Sequence, residues 1–467
     1  MHRLLLTALT LAAIIGCAPR THTPSTPSTP GTHNQPSATA PSAAAYQFRD
    51  GWHILELKGS PDTIGYQHGL TLAPQIDTFI KAVKLDMSHD LPPEHQWEFF
   101  KQAAIRICWP RTPEALRHEI TSIAAGLQKA GYSYTWEDIL TLNAHIELPG
   151  YWYPVAMKKL SGIDQPSRAH EACSAFIATG DMTTDRSIIM GHNFWWGYLT
   201  GQYFNVMLSV KPDQGNAFIM QTAPGLIHSG TDVAVSAAGL MLCETTISGF
   251  VGFDENGIPE FVRMREAIQF SNSIDDMIAI FKKGNNGGYA NTWLIGDRKT
   301  GEIAKLELGL QNAIVSRTTS GAYFGANFAE SDAIKAECPG MSFRHWPRRD
   351  RWQQLMDEYK GRIDQSAAQS FLGDTTNPKT GAKGATGSTL CGRSDLDPSR
   401  NFHPGGGVSN CIVTSASARQ NTLLAKWGFG DDSHFSANGF FEGRGKPHAW
   451  MREALHDIAP QPWTTIP

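Results

Sequence analysis

The sequence predicts an α+β fold of four layers, αββα, with two β-sheets packed face to face between helices, and three observations predict it. Apolar residues recur at helical spacing through the stretch ending at Glu147, and from Cys173 the pattern changes to short strands. The strands are then interrupted by one helical pair near 259–269 and 274–282 before they resume, and a helical stretch at 346–359 follows.

Taken in order, residues 1–16 place Arg3 ahead of an apolar run, 4–15, that is shorter than the roughly 20 residues a membrane-spanning helix needs. This is a signal peptide pattern. The run ends Ile14-Ile15-Gly16-Cys17, which resembles a bacterial lipobox. The resemblance implies a lipidated Cys17 and a lipoprotein of the bacterial cell envelope, at the outer membrane because Ala18 rather than Asp follows the cysteine. Residues 17–45 are Pro, Thr, Ser and Ala with little apolar bulk, a composition that cannot bury enough surface to fold and reads as a tether.

The body begins at about Tyr46 and divides at the candidate nucleophile into 46–172, helical, and 173–467. Residues 51–57 alternate like an edge strand, and Ser60-Pro61 opens a helix carrying Ile64-Gly65-Tyr66-Gln67-His68-Gly69. Helical stretches follow at 93–108, 112–130 and 136–147. His68, His145 and Glu147 sit on them as satisfied polar or surface groups. Strands are expected at 174–179, 187–194, 203–210, 217–221, 232–236, 239–246, 292–296, 303–308, 313–316 and 323–326, and 373–407, rich in Gly, Pro and Thr, reads as long surface loops.

Composition excludes several classes of function. The formal net charge of −4 becomes −5 when Arg3 (+1) leaves with the leader, and no Lys/Arg block appears, so nucleic acid is not an expected partner. Of seven cysteines, setting aside Cys17 and Cys173 leaves five, which cannot all pair. The chain has no CxxC or HExxH pattern, so neither a metal nor another cofactor is expected.

The chemistry concentrates at Glu171-Ala172-Cys173-Ser174-Ala175-Phe176, followed by a turn and Gly191-His192-Asn193-Phe194-Trp195-Trp196. A cysteine opening a strand is commonly a small buried hydrophobe. If the bond between Ala172 and Cys173 were cut, however, Cys173 would hold a thiol and a free α-amino group together. Such an amine titrates near pH 8 and can take the thiol proton without a histidine.

These motifs, with Pro224-Gly225, Glu244-Thr245-Thr246-Ile247, Tyr289-Ala290-Asn291-Thr292-Trp293, Arg393-Ser394-Asp395-Leu396 and Ser409-Asn410-Cys411, resemble the phospholipase B-like proteins in the same order. The front segment, 51–69, looks more like the penicillin acyl-coenzyme A acyltransferase relatives. Both groups belong to the N-terminal nucleophile (Ntn) hydrolases, so the resemblance implies an αββα Ntn-hydrolase sandwich. It implies Cys173 as nucleophile and self-cleavage residue, Ala172 as the residue before the cut, and Thr245 or Thr246 with Asn291 beside the thiol. The Asn291 amide would donate to the oxyanion. His192 and Trp195 match the His-Asn-x-Trp run beside the nucleophile, and Trp195 stands in an aromatic-rich stretch that lines an acyl pocket or belongs to the core. Arg393 is either a substrate carboxylate or phosphate contact or a structural salt bridge.

The expected function is hydrolysis of an acyl amide or ester through an S-acyl intermediate, on a small-molecule or lipid substrate near the membrane that the lipid anchor reaches. Acyl transfer to an amine and a non-catalytic binding lipoprotein remain alternatives. Oligomeric state is not legible.

Overall fold

The chain enters through a hairpin, β1 (Ala45–Arg49) and β2 (Trp52–Gly59), and continues into α1 (Pro61–Thr71), α2 (Ala73–Asp90), α3 (Trp97–Ile107), α4 (Glu114–Lys129), α5 (Trp136–Asn143) and α6 (Tyr153–Ser161). Next come β3 (Ser174–Thr179), β4 (Ile189–Gly197), a single turn α7 (Tyr198–Gly201), β5 (Val206–Pro212), β6 (Phe218–Thr222), β7 (Ala234–Ser236) and β8 (Leu240–Thr246). Helices α8 (Glu260–Phe270) and α9 (Ile274–Lys282) precede β9 (Asn291–Asp297), β10 (Glu302–Leu308), β11 (Ala313–Thr318) and β12 (Gly321–Gly325). After the short α10 (Asp332–Lys335) come α11 (Pro347–Glu358), α12 (Gln365–Leu372), β13 (Gly405–Thr414), α13 (Ser415–Gln420), β14 (Leu423–Trp427), α14 (Ala437–Glu442) and β15 (Thr464–Ile466). In this computed structural model the described residues are 43–162, 173–397 and 404–467. Cys17 and Ala172 lie outside them.

Two sheets form the middle of the molecule. One has nine strands in the order β1-β2-β5-β6-β7-β8-β9-β10-β11, the other six in the order β12-β3-β4-β13-β14-β15. Neighbours are antiparallel except β2 and β5, which run parallel. The six-stranded sheet lays β3 and β12 against β8, β9 and β10, while α1, α8 and α9 cover the nine-stranded sheet and α11 and α12 cover the other. The expected αββα layering is therefore present.

Each layer follows from its sequence. In α1, Gly65 and Gly69 sit one turn apart, and a Cβ at either would lie 2.0–2.2 Å from the Glu119 or Ile123 carbonyl oxygen of α4, so only glycine permits this crossing. Arg265 of α8 and Glu119 of α4, both buried, tie the helical layer together through two 2.8 Å hydrogen bonds. Residues of β3 alternate faces: Ile177 points to Gly296 of β9 between the sheets, whereas Phe176 packs on Trp352 and Phe371 of the outer helices.

Three expectations need correction. Residues 51–57 are not an edge, because β1 pairs along β2 on its open side. Of the run 403–407, His403 lies outside the described residues, and the rest is not a loop throughout: Gly405, Gly406 and Gly407 start β13 and pair with Gly197, Trp196 and Trp195. A Cβ at Gly407 would lie 2.3 Å from Asn193 Oδ1, so the glycines there reflect close strand contact rather than loop freedom. Within 373–397, Leu390, Cys391 and Arg393 are buried, and the Trp195 indole donates to Leu390 O at 3.0 Å. Packing beneath Trp195, not solvation, satisfies that segment. The sequence reading also leaves out α2, although its buried positions 76, 79, 80, 83 and 87 recur at helical spacing.

Candidate active site

Cys173 is the residue immediately ahead of β3, and alternation from Phe176 and Ile177 turns it toward the space between the sheets. It is buried, with 2% of its surface exposed, and its Sγ lies 3.9 Å from the Trp195 carbonyl. Its own carbonyl accepts a 2.7 Å hydrogen bond from Arg348 Nη1, and the same nitrogen lies 3.3 Å from Ser174 Oγ. Arg348 opens α11, where Pro347 starts the helix and turns the arginine inward.

From Arg348 a line of contacts crosses to the nine-stranded sheet. Arg348 Nη2 donates to Asn327 Oδ1 at 2.8 Å, and Asn327 Nδ2 donates to the Thr246 carbonyl at 2.8 Å. Thr246 pairs in register with Asn291 across β8 and β9. In the orientation that satisfies donors and acceptors alike, the Asn291 amide nitrogen donates to Glu244 Oε2 at 2.7 Å and to Ala290 O at 3.0 Å. The Tyr289 hydroxyl then bridges two carboxylates, 2.9 Å from Glu244 Oε1 and 3.0 Å from Asp232 Oδ2. The backbone of the strand-initial Cys173 is thus linked, through Arg348, Asn327 and the pairing of β8 with β9, to a buried acidic group on the opposite sheet.

The inner face holds two more of the expected residues. His192 pairs with Ala175, and its ring faces the Glu244 carbonyl; burial pulls its pKa down to about 3, so the imidazole is neutral at ordinary pH and a weak base. Thr245 reaches β12, where a Cβ on Gly325 would meet its Oγ1 at 2.2 Å. Gly325 pairs with Ala175, two residues along from Cys173. The Thr245 hydroxyl is buried without a hydrogen-bond partner, so it is a donor available to a developing negative charge, whereas both Asn291 amide hydrogens are already engaged.

Two expected substrate contacts sit elsewhere. Trp195 points to the outer face, its indole bonded to Leu390 O and its ring 5.5 Å from the Arg348 guanidinium, so only its backbone carbonyl approaches the thiol. Arg393 is in a buried ion pair with Asp395, Nη2 to Oδ2 at 2.6 Å and Nε to Oδ1 at 3.2 Å, and its Nη1 donates to His434 O. Tyr198 closes that group on Asp395 at 2.6 Å. Of the two readings of Arg393, the geometry matches the structural salt bridge. Of the helical residues Glu147 is bonded as expected, accepting from Phe261 N and Asn286, whereas the two buried histidines are only half satisfied: His68 Nε2 accepts from Gly225 N and His145 Nδ1 lies 2.6 Å from Leu142 O, but His68 Nδ1 and His145 Nε2 have no hydrogen-bond partner.

Sequence reasoning missed Arg348 and Asn327 altogether, and it gave Tyr289 no role. Arg348 stands in Pro347-Arg348-Arg349-Asp350-Arg351, where nothing separates it from two neighbouring arginines. The six cysteines of the described residues, Cys173 among them, are buried, and none is in a disulfide.

No family model matches the chain. It is similar to an uncharacterized protein of Archaeoglobus fulgidus, 27% identical over 262 residues, which cover 54% of this chain and 42% of that one. It is also similar to a Mus musculus protein named putative phospholipase B-like 2, 23% identical over 358 residues, covering 63% of this chain and 56% of the mouse protein. The chain spans about half the length of these curated relatives. Among solved structures, a variant of conjugated bile acid hydrolase from Clostridium perfringens aligns with 54% of this chain and 89% of its own, at 10% identity and a TM-score of 0.32.

Proposed function

We propose, on the premise that this chain is a homologue of phospholipase B-like 2, that it is a self-processing hydrolase that cleaves an acyl amide or ester through Cys173. The observation that carries the reading is the placement of a buried thiol directly ahead of β3, facing the inter-sheet space, with its carbonyl held by Arg348.

In maturation, Sγ attacks the Ala172 carbonyl, the peptide shifts from nitrogen to sulfur, and water hydrolyses the thioester. This frees the Cys173 α-amine. In turnover that amine takes the thiol proton as Sγ bonds to the acyl carbonyl carbon. The oxyanion accepts from the Thr245 hydroxyl, with the Asn291 amide a second donor once it releases Glu244 or Ala290; one such donor is worth roughly 2.7–4 kcal/mol. The α-ammonium protonates the leaving amine or alcohol, and water then releases the acid. Arg348 has a second effect here, because a guanidinium bonded to the Cys173 carbonyl disfavours a further positive charge on the same residue and so keeps more of the α-amine unprotonated, ready to accept the thiol proton.

Substrates of this reading are small-molecule or lipid acyl compounds, presented at a bacterial envelope surface by a lipid on Cys17. Anchoring is tested separately, by whether Cys17→Ala moves the protein from the membrane to the soluble fraction. For the chemistry, intact mass and N-terminal sequencing of the wild type beside Cys173→Ala decide. The expected result is a wild-type fragment starting at Cys173, an uncut variant and at least a thousandfold loss of acyl hydrolysis. A folded variant that is cut and turns over like the wild type overturns the proposal.

A further inference from the structure

On the nine-stranded sheet, behind the site, three buried side chains converge: His228, Asp232 and Glu260. His228 and Asp232 come from the loop between β6 and β7, and Glu260 is the first residue of α8. One ligand-type atom from each, an imidazole nitrogen and two carboxylate oxygens, lies within 4.8 Å of the others. We propose that this trio binds one divalent cation of the zinc class, as a structural clamp behind the reaction site.

The convergence of carboxylates is not the whole case. His228 is 3% exposed, and neither ring nitrogen has a hydrogen-bond partner. A buried imidazole without a partner is costly in a core, and an imidazole nitrogen within 4.8 Å of two carboxylate oxygens is a donor set that a metal ion can share. The nearby arginines place their hydrogen bonds on other groups, and Arg263 acts on Glu260 through its charge. Arg263, one turn along α8 from Glu260, donates to Ile258 O, Phe281 O and Asn286 Oδ1, and Arg265 donates to Glu119, Gln269 and Ile227 O. Two carboxylates balance the charge of a divalent ion, and a neutral imidazole adds a third ligand without adding charge.

The donor set selects the ion. Calcium and magnesium take oxygen ligands, whereas one imidazole with two carboxylates suits zinc, with a fourth position open. Atoms that share an ion at about 2 Å lie at most about 4 Å apart, so this trio needs to draw in by less than about 1 Å. Its outer contact also has the form of a metal site, because Asp232 Oδ2 meets the Tyr289 hydroxyl, which meets Glu244, which holds Asn291. A cation fixing Asp232 would therefore fix the orientation of Asn291. That positioning role rests on the hydrolase reading; the binding itself does not.

The test uses the purified full chain, stripped with chelator, loaded with Zn2+, freed of excess ion by gel filtration and analysed for metal by mass spectrometry. About one equivalent of zinc is expected, with a higher Tm than the stripped protein. His228→Phe and the near-isosteric Glu260→Gln should each leave well under one equivalent, and the second covers the case in which the first fails to fold. A wild type that takes up no zinc overturns the proposal, in favour of protonated carboxylates. So does uptake that neither variant lowers, which would place the ion on the cysteines instead. Because metal content is read directly, failure here leaves the Cys173 chemistry standing, and an inactive protein that binds zinc leaves the clamp standing.

Discussion

Arg265 and Arg348 are both buried arginines at helix positions facing a sheet, yet they are used differently. Arg265 meets Glu119 with two parallel 2.8 Å hydrogen bonds, a fork on a carboxylate that joins α4 to α8. Arg348 reaches the Cys173 carbonyl, the Ser174 hydroxyl and the Asn327 side chain, and so wraps the start of β3. A carboxylate partner on another helix is what a fold needs from a buried arginine. Single bonds to a backbone carbonyl, a hydroxyl and a side-chain amide are what fixes the start of one strand, as the proposed reaction at Cys173 requires.

The largest expected effect falls on the first pair. Glu119→Gln leaves Arg265 buried and uncompensated, which costs about 3–5 kcal/mol in chemical denaturation. The same protein, once folded, should still be cut at Cys173; a variant that is stable but uncut would erase the distinction between the two arginines. Next comes Arg348→Met, which removes a charged hydrogen bond worth about 1.5–3 kcal/mol, read as roughly 10–100-fold slower appearance of the fragment starting at Cys173. Arg348→Lys should not restore the rate, because a point charge cannot serve the Cys173 carbonyl and Asn327 together. Restoration by lysine would reduce Arg348 to a charge.

A smaller effect sharpens the comparison from the side of buried groups that carry no charge. His192 and His68 are held at about 3 and His145 at about 4 by burial, below the free imidazole value of about 6.5. Their folded-state values are lowered, so their contribution to stability is intact above pH 6.5 and declines as the pH falls toward those values, because only the unfolded chain takes up the protons. Each then costs about 2 kcal/mol at pH 5. His192→Leu should recover about that amount at pH 5 relative to its effect at pH 7.5, measured by urea denaturation at both. Equal effects at both pH values would mean that the His192 ring takes up its proton in the folded state.

Much of the fold is legible because its signals are local. The switch of period at Cys173, the pair α8 and α9, and the alternation in β8 to β10 are all set by neighbours a few residues apart. Cys173 is legible for the same reason, as a thiol opening a short strand after a small residue. Arg348 is not, because its meaning comes from Cys173, 175 residues earlier, and from Asn327. The trio of His228, Asp232 and Glu260 has no motif spacing, since a loop and a helix start bring it together. Trp195 shows the opposite case: sequence left its indole between an acyl pocket and the core, and strand alternation, which sequence spacing alone did not resolve, sends it to the outer face and buries it there.

The parallel pairing of β2 with β5 joins a strand that precedes Cys173 to one that follows it, from His53 against Val206 to Gly59 against Pro212. Scission ahead of Cys173 would therefore nick the molecule without releasing either piece, since seven rungs of backbone ladder and a shared core span the break. Two bands on a denaturing gel would coincide with one particle in native sizing. The order of assembly is constrained as well: the ladder must close while the polypeptide is still continuous, so the two pieces made apart would face each other as strangers rather than as halves of one chain.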